Sequence, residues 1–169
     1  LALTVVVLLL RQGRAAAAPL IGHVRRGLPT MRGELALFLA AGVLAAGIDA
    51  LVGCTGWVLG LQHFGATEAW VALCLMTALA IAGVHPVISI ATAQGLLTPL
   101  APDPNLIGIL YLMAWSVGVS VSPFSGMHLG MQGRFGIDAR GFLRWNGGFT
   151  LFMLTVDTLV LHAYQALAT

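Results

Sequence analysis

The chain has 169 residues, 59% of them hydrophobic and 8% charged, with a formal net charge of +2 and a mean hydropathy of +0.94. An average soluble domain carries about 25% charged residues, and a water-facing surface cannot be covered with so few. The figures exclude a soluble enzyme, a disordered tail and a nucleic-acid binder. They predict an all-α integral membrane protein whose first partner is the lipid bilayer.

In chain order, Leu1 to Leu10 is an apolar run of about half the roughly 20 residues that a spanning helix needs. It reads as the end of a truncated transmembrane helix that starts upstream. Residues 11–33 follow, with Arg11, Arg14, Arg25, Arg26 and Arg32 and no acid, and all eight basic residues of the chain are arginine. Such a loop belongs on the cytoplasmic side under the positive-inside rule. Glu34 reads as a helix cap beside a snorkelling Arg32. The segment Glu34 to Leu61 is a span rich in small residues, which let helices pack closely in lipid. A polar turn over Gln62 to Glu68 ends it.

Ala69 to Leu97 is apolar except at its centre, Gly83-Val84-His85-Pro86. As one helix it would measure about 43 Å, too long for a hydrocarbon core of about 30 Å. Pro86 breaks it, and each arm alone is too short to cross. It is therefore either a kinked, tilted span or a re-entrant hairpin with its tip at His85-Pro86. After a proline-bearing loop, Leu106 to Gln132 forms the next span. Residues 133–144 carry Arg134, Arg140 and Arg144 against Asp138 alone. This second basic loop is cytoplasmic only if Ala69 to Leu97 turns back, so the charge pattern favours re-entry. Gly133 to Ile137 reads as a plain turn. Trp145 to Gln165 is the last span, with Trp57, Trp70 and Trp145 near the interfaces.

The span Leu106 to Gln132 is itself interrupted at Ser120-Val121-Ser122-Pro123-Phe124-Ser125-Gly126. Ser122 before Pro123 has the form of an N-cap with proline at the first helical position, as His85 before Pro86 does. Two helices are thus expected to restart inside the bilayer, which lipid permits only where the freed backbone is buried in protein or lines a cavity. New N-termini offer N–H groups and a positive dipole end to an anion, and old C-termini offer carbonyls to Na⁺. The residues proposed for the solute are His85, Pro86, Ser89, Ser122, Pro123, Ser125 and Gly126. Those proposed for a cation are Gly83, Ser120 and Ser122.

This layout resembles the C-terminal half of ion transporter superfamily permeases. That group includes divalent-anion/sodium symporters, the large permease subunits of TRAP transporters, and arsenite or Na⁺/H⁺ antiporter-like relatives. The matching elements are Glu34–Leu61, Ala69–Leu97, Leu106–Gln132 and Trp145–Gln165. The resemblance implies one half of an inverted-repeat transporter, in which the hairpin tip and the broken-helix loop form the substrate and cation site. Where dicarboxylate symporters carry Ser-Asn-Thr at the tip, this chain has His85-Pro86-Val87-Ile88-Ser89. The function implied is a cation-coupled secondary permease for a small organic or inorganic anion in a bacterial inner membrane. No cofactor is expected beyond Na⁺ or H⁺ as coupling ion. Its partners would be the anionic solute, the missing N-terminal half and, in a homodimer, a second copy.

Asp157 and Asp49 lie about 18 Å and 22 Å into their helices, depths where a charge is costly. With His128, one turn past the break, they are the coupling candidates. His23, His63 and His162 read as interface residues. Cys54 and Cys74 lie apart in apolar stretches and read as inert packing residues. Two other functions are open from the sequence: a Na⁺/H⁺ antiporter using Asp157 and His85, and a non-transporting membrane scaffold. An enzyme is not expected, because no H-E-x-x-H occurs and no serine has an evident base partner.

Overall fold

The computed structural model of the chain describes residues 6–7, 10–11, 13, 21–22, 24–25, 32–56 and 60–168. The expectations for Arg14, Arg26, His23 and Trp57, and for the side chains of Arg32 and Glu34, lie outside the described residues. All regular structure among the described residues is helical. Three segments are long and apolar enough to cross a membrane: Leu35–Thr55, Pro104–Phe135 and Ala139–Ala168. The outward faces carry large apolar side chains, among them Leu112, Leu151 and Leu159, each more than 60% exposed. Water would not tolerate so continuous an apolar surface, whereas acyl chains do.

Two compact units are distinguished, Leu1–Ala40 and Ala41–Thr169. Helix α1 (Arg32–Thr55) has its opening turns in the first unit. In the second unit, the last turns of α1 are followed by α2 (Ala66–Ile81), α3 (Pro86–Leu97) and a 3₁₀ turn (Thr98–Leu100). Then come α4 (Pro104–Val121), α5 (Gly126–Phe135) and α6 (Ala139–Ala168).

The helices start where their caps allow. Glu68 in the first turn of α2 accepts the Gly65 amide through Oε2 at 2.9 Å, so α2 begins three residues ahead of the expected Ala69. Asp103 caps α4 by accepting from the Asn105 amide, with Pro104 at the first helical position. The Tyr164 hydroxyl and the Asn105 amide hold the Asp103 carboxyl below its ordinary range. The loop expected at 133–144 is mostly helix. Gly136, at φ +64°, caps α5, and Asp138 accepts from the Arg140 amide to open α6. Only residues 136–138 lie outside both helices. The sequence reading missed this because charge signals a loop only on average, whereas a left-handed glycine and an aspartate cap mark the helix ends.

The core is built by α2, α4 and α6. Ala69 and Leu73 of α2, Leu110 and Ala114 of α4 and Leu161 of α6 are buried in one cluster. The Ala66 amide donates to Gln165 Oε1, and the Tyr164 hydroxyl donates to Asp103 Oδ2. The start of α2, the start of α4 and the end of α6 therefore share one end of this unit. Helix α3 returns toward it. The groove between α2 and α3, about 520 Å³, is lined by Phe64, Thr67 and Glu68 at the start of α2 and by Leu96 and Leu97 at the end of α3. Gly95 of α3 lies against Ile48 and the Ala45 carbonyl of α1, where a Cβ would stand 2.9 Å from Ile48 Cγ2.

Candidate functional site at the two helix breaks

Helix α2 ends in a Schellman motif. Val84 N–H donates to Leu79 O at 2.9 Å and Gly83 N–H to Ala80 O at 3.1 Å. The motif requires a left-handed residue, and Gly83 supplies it at φ +103°. The chain then extends through His85, as a residue before proline prefers, and α3 restarts with Pro86 in its first position. His85 caps this restart through Nδ1, which accepts from the Val87 amide at 3.2 Å. The expected helix break and restart at His85-Pro86 is present.

The second break differs from expectation at one residue. Ser122 ends α4 rather than starting α5. Its amide donates to Gly118 O at 2.8 Å, and its own backbone turns to ψ 123° because Pro123 excludes the helical conformation before it. Ser125 is the cap of α5, its Oγ accepting from the His128 amide at 3.4 Å. Only Ser122 to Ser125 are unwound.

The serine hydroxyls divide into two kinds. Ser89 and Ser120 donate to carbonyls of their own helices, Pro86 O at 2.9 Å and Val117 O at 2.7 Å. Ser122 and Ser125 accept, from the Phe124 and His128 amides, and both are fully buried. An accepting hydroxyl keeps its hydrogen for another acceptor. Ser122 and Ser125 thus remain able to donate to an anion, and Ser89 and Ser120 do not.

The break carbonyls expected to receive a cation are already engaged. Asn146 Nδ2 donates to Ser120 O at 2.6 Å, His128 Nδ1 lies 2.8 Å from Ser122 O, and Gln132 Nε2 donates to Pro123 O at 2.7 Å. Against a carbonyl the His128 Nδ1 must carry the proton. Its ring is stacked on Phe142, with centroids 3.8 Å apart and planes 9° apart, and Phe142 meets Trp145 edge-on. Ser120 and Ser122 therefore stand as capped carbonyls, and Gly83 as a turn residue, rather than as exposed cation ligands. A buried carbonyl without a partner is costly, and α5 and α6 bring amide and imidazole donors to remove that cost. Asn146 and Gln132 were not legible as functional residues. Gln132 closes one expected span and Asn146 stands near the start of the next, and only the break beside them gives them a task.

Tip and break lie together. A Cβ on Gly118 of α4 would stand 2.8 Å from Pro86 Cγ, and one on Gly83 2.8 Å from the Phe124 ring. His85 meets Trp115 edge-on, with centroids 6.1 Å apart. Ser89, Pro86, Ser122, Ser125 and His128 are buried around this junction or just behind it, and Gly126 opens α5 at its edge. Asp157 is buried on α6. Asp49 is exposed on α1 and does not reach the junction, because the buried face of α1 runs through Ala41 and Val52 instead.

His63 is exposed and 3.6 Å from Glu68, and His162 is exposed and held at its own helix by Thr158 O. Both cysteines are free thiols. Among the described residues, no group of three His, Cys, Asp or Glu side chains is placed to hold a metal ion. No family model, no curated protein and no solved structure matches the chain.

Proposed function

We propose that the chain is the site-bearing half of a secondary transporter of the ion transporter superfamily kind, embedded in a bacterial inner membrane and moving a small anion. Helices α2 and α3 form its re-entrant hairpin, and α4 and α5 its broken span. The observation that carries this reading is the junction itself: Gly83 and Pro86 of one interrupted helix pair pack against Phe124 and Gly118 of the other. Two breaks serving only as kinks have no need to meet at one place. Re-entry is supported by the end that α2, α3 and α4 share, since a pair of helices about 24 Å and 18 Å long crosses nothing alone.

The solute would be held by the Ser122 and Ser125 hydroxyls and by first-turn amides of α5, which the helix itself cannot use. The capped break carbonyls favour an anion over a metal cation at this point. Rigid movement of the junction against the remaining helices would then expose it to either side.

The test is a thermal-shift and uptake series on the full-length protein in liposomes, with succinate, citrate, phosphate and sulfate as probes. At least one anion is expected to raise the melting temperature. Ser122→Ala with Ser125→Ala should weaken its binding about tenfold or more, as loss of a hydrogen bond to a charge implies. A set of anions that neither stabilise nor enter, or a double variant that behaves as the parent does, refutes the assignment and leaves the scaffold reading.

A further inference from the structure

We infer that Asp157 is a buried proton-binding site on the inward face of α6. Asp157 is 4% exposed, and its Oδ2 lacks a hydrogen-bond partner. Helical register turns Asp157 inward. It lies one turn from Leu161 on α6, and Leu161 is fully buried in the core cluster with Leu73 of α2 and Leu110 of α4. Counted from the contact of Gln165 with Ala66, Asp157 stands about two turns, about 12 Å, into the helix bundle.

An ionised carboxylate in such a place, without a countercharge, is among the costliest groups a membrane protein can hold. No basic residue lies on α2 or α4 to pay it back. The titratable side chains on those helices at this depth are Cys74 on α2 and Tyr111 on α4, a thiol and a phenol that are uncharged at neutral pH. His128 on α5 is several turns away, turned to the Ser122 carbonyl. A metal cation needs about six oxygen ligands, whereas Thr155 lies on the exposed face of α6 and, among the described residues, no group of three His, Cys, Asp or Glu side chains is placed to hold one. A proton needs a single oxygen, which the unpartnered Oδ2 supplies.

The same face of α6 continues through Thr150, which donates to Asn146 O, to Asn146, which donates to the break at Ser120 O. Asp157 thus shares a face of α6 with the groups that close the break, with Met153 and Leu154 between it and Thr150. Its role as the coupling site rests on the transport reading above; its existence as a proton site does not.

The experiment is infrared difference spectroscopy of the full-length protein in lipid, titrated from about pH 5 to about pH 9. A protonated-carboxyl C=O band that fades with rising pH is expected in the parent and absent from Asp157→Asn. Asp157→Glu should move the band and the pH at which it fades, and it decides the matter if Asp157→Asn does not fold. A parent without such a band, a band that survives Asp157→Asn, or an Asp157→Glu spectrum identical to the parent would overturn the proposal. A titrating band in a protein that moves no anion leaves the proton site standing and removes the transport reading.

Discussion

At the scale of single residues, the junction depends on two glycines for different reasons. Gly83 holds φ +103°, which an L side chain rarely adopts, and Gly118 leaves the space that the Pro86 ring occupies. Gly83→Ala is expected to destabilise the protein by about 1–3 kcal/mol through backbone strain and contact with Phe124. Gly118→Val should cost a similar amount by overpacking, about 1–3 kcal/mol, and push α3 from α4. Thermal unfolding in detergent measures both. Gly130, with open space around its Cα, is the control: Gly130→Ala in the middle of α5 should be neutral or slightly stabilising. Equal effects at all three positions would mean that the junction is not tightly packed.

At the scale of elements, α3 and α5 are too short to persist by propensity, at 12 and 10 residues. Their starts are secured by His85 and Ser125, and the unwound backbone between α4 and α5 by donors from elsewhere. Asn146 of α6 reaches 26 residues back along the chain to Ser120 O. Asn146→Ala should therefore cost about 1–3 kcal/mol, the penalty for a buried acceptor left alone. Hydrogen exchange should show the gain in opening concentrated at residues 118–126. Asn146→Asp cannot donate to a carbonyl when ionised, and should be no better than alanine. Protection at the break unchanged in Asn146→Ala would deny the side chain this role.

At the scale of the whole molecule, the second unit has one end made by Gly65, Asp103, Tyr164 and Gln165, and its α5–α6 turn lies after the broken span. If α2 and α3 are re-entrant, the positive-inside rule puts the arginines at 134, 140 and 144 on the cytoplasmic side. Single cysteines at Gly65 and Asp138, in a background lacking Cys54 and Cys74, should label from opposite faces of sealed vesicles. Position 138 is expected to react from the cytoplasm and position 65 from outside. Labelling of both from one face would make Ala66–Leu97 a full crossing and end the re-entrant reading.

Much of this architecture was legible in the chain itself. Apolar length marks the spans and prolines mark the breaks, because the bilayer forces every backbone group to be satisfied within its own segment. The His85-Pro86 restart was legible for the same local reason. The Ser122 cap was not, since only the turn from Ser122 to Ser125 settles which serine closes the helix. Nor could the chain tell which hydroxyls remain free to donate, or that Asn146, His128 and Gln132 close the break carbonyls. Those bonds, and the burial of Asp157, depend on residues of more than one helix. Composition and periodicity describe one helix at a time, whereas burial and hydrogen-bond partnership arise only when helices are packed together.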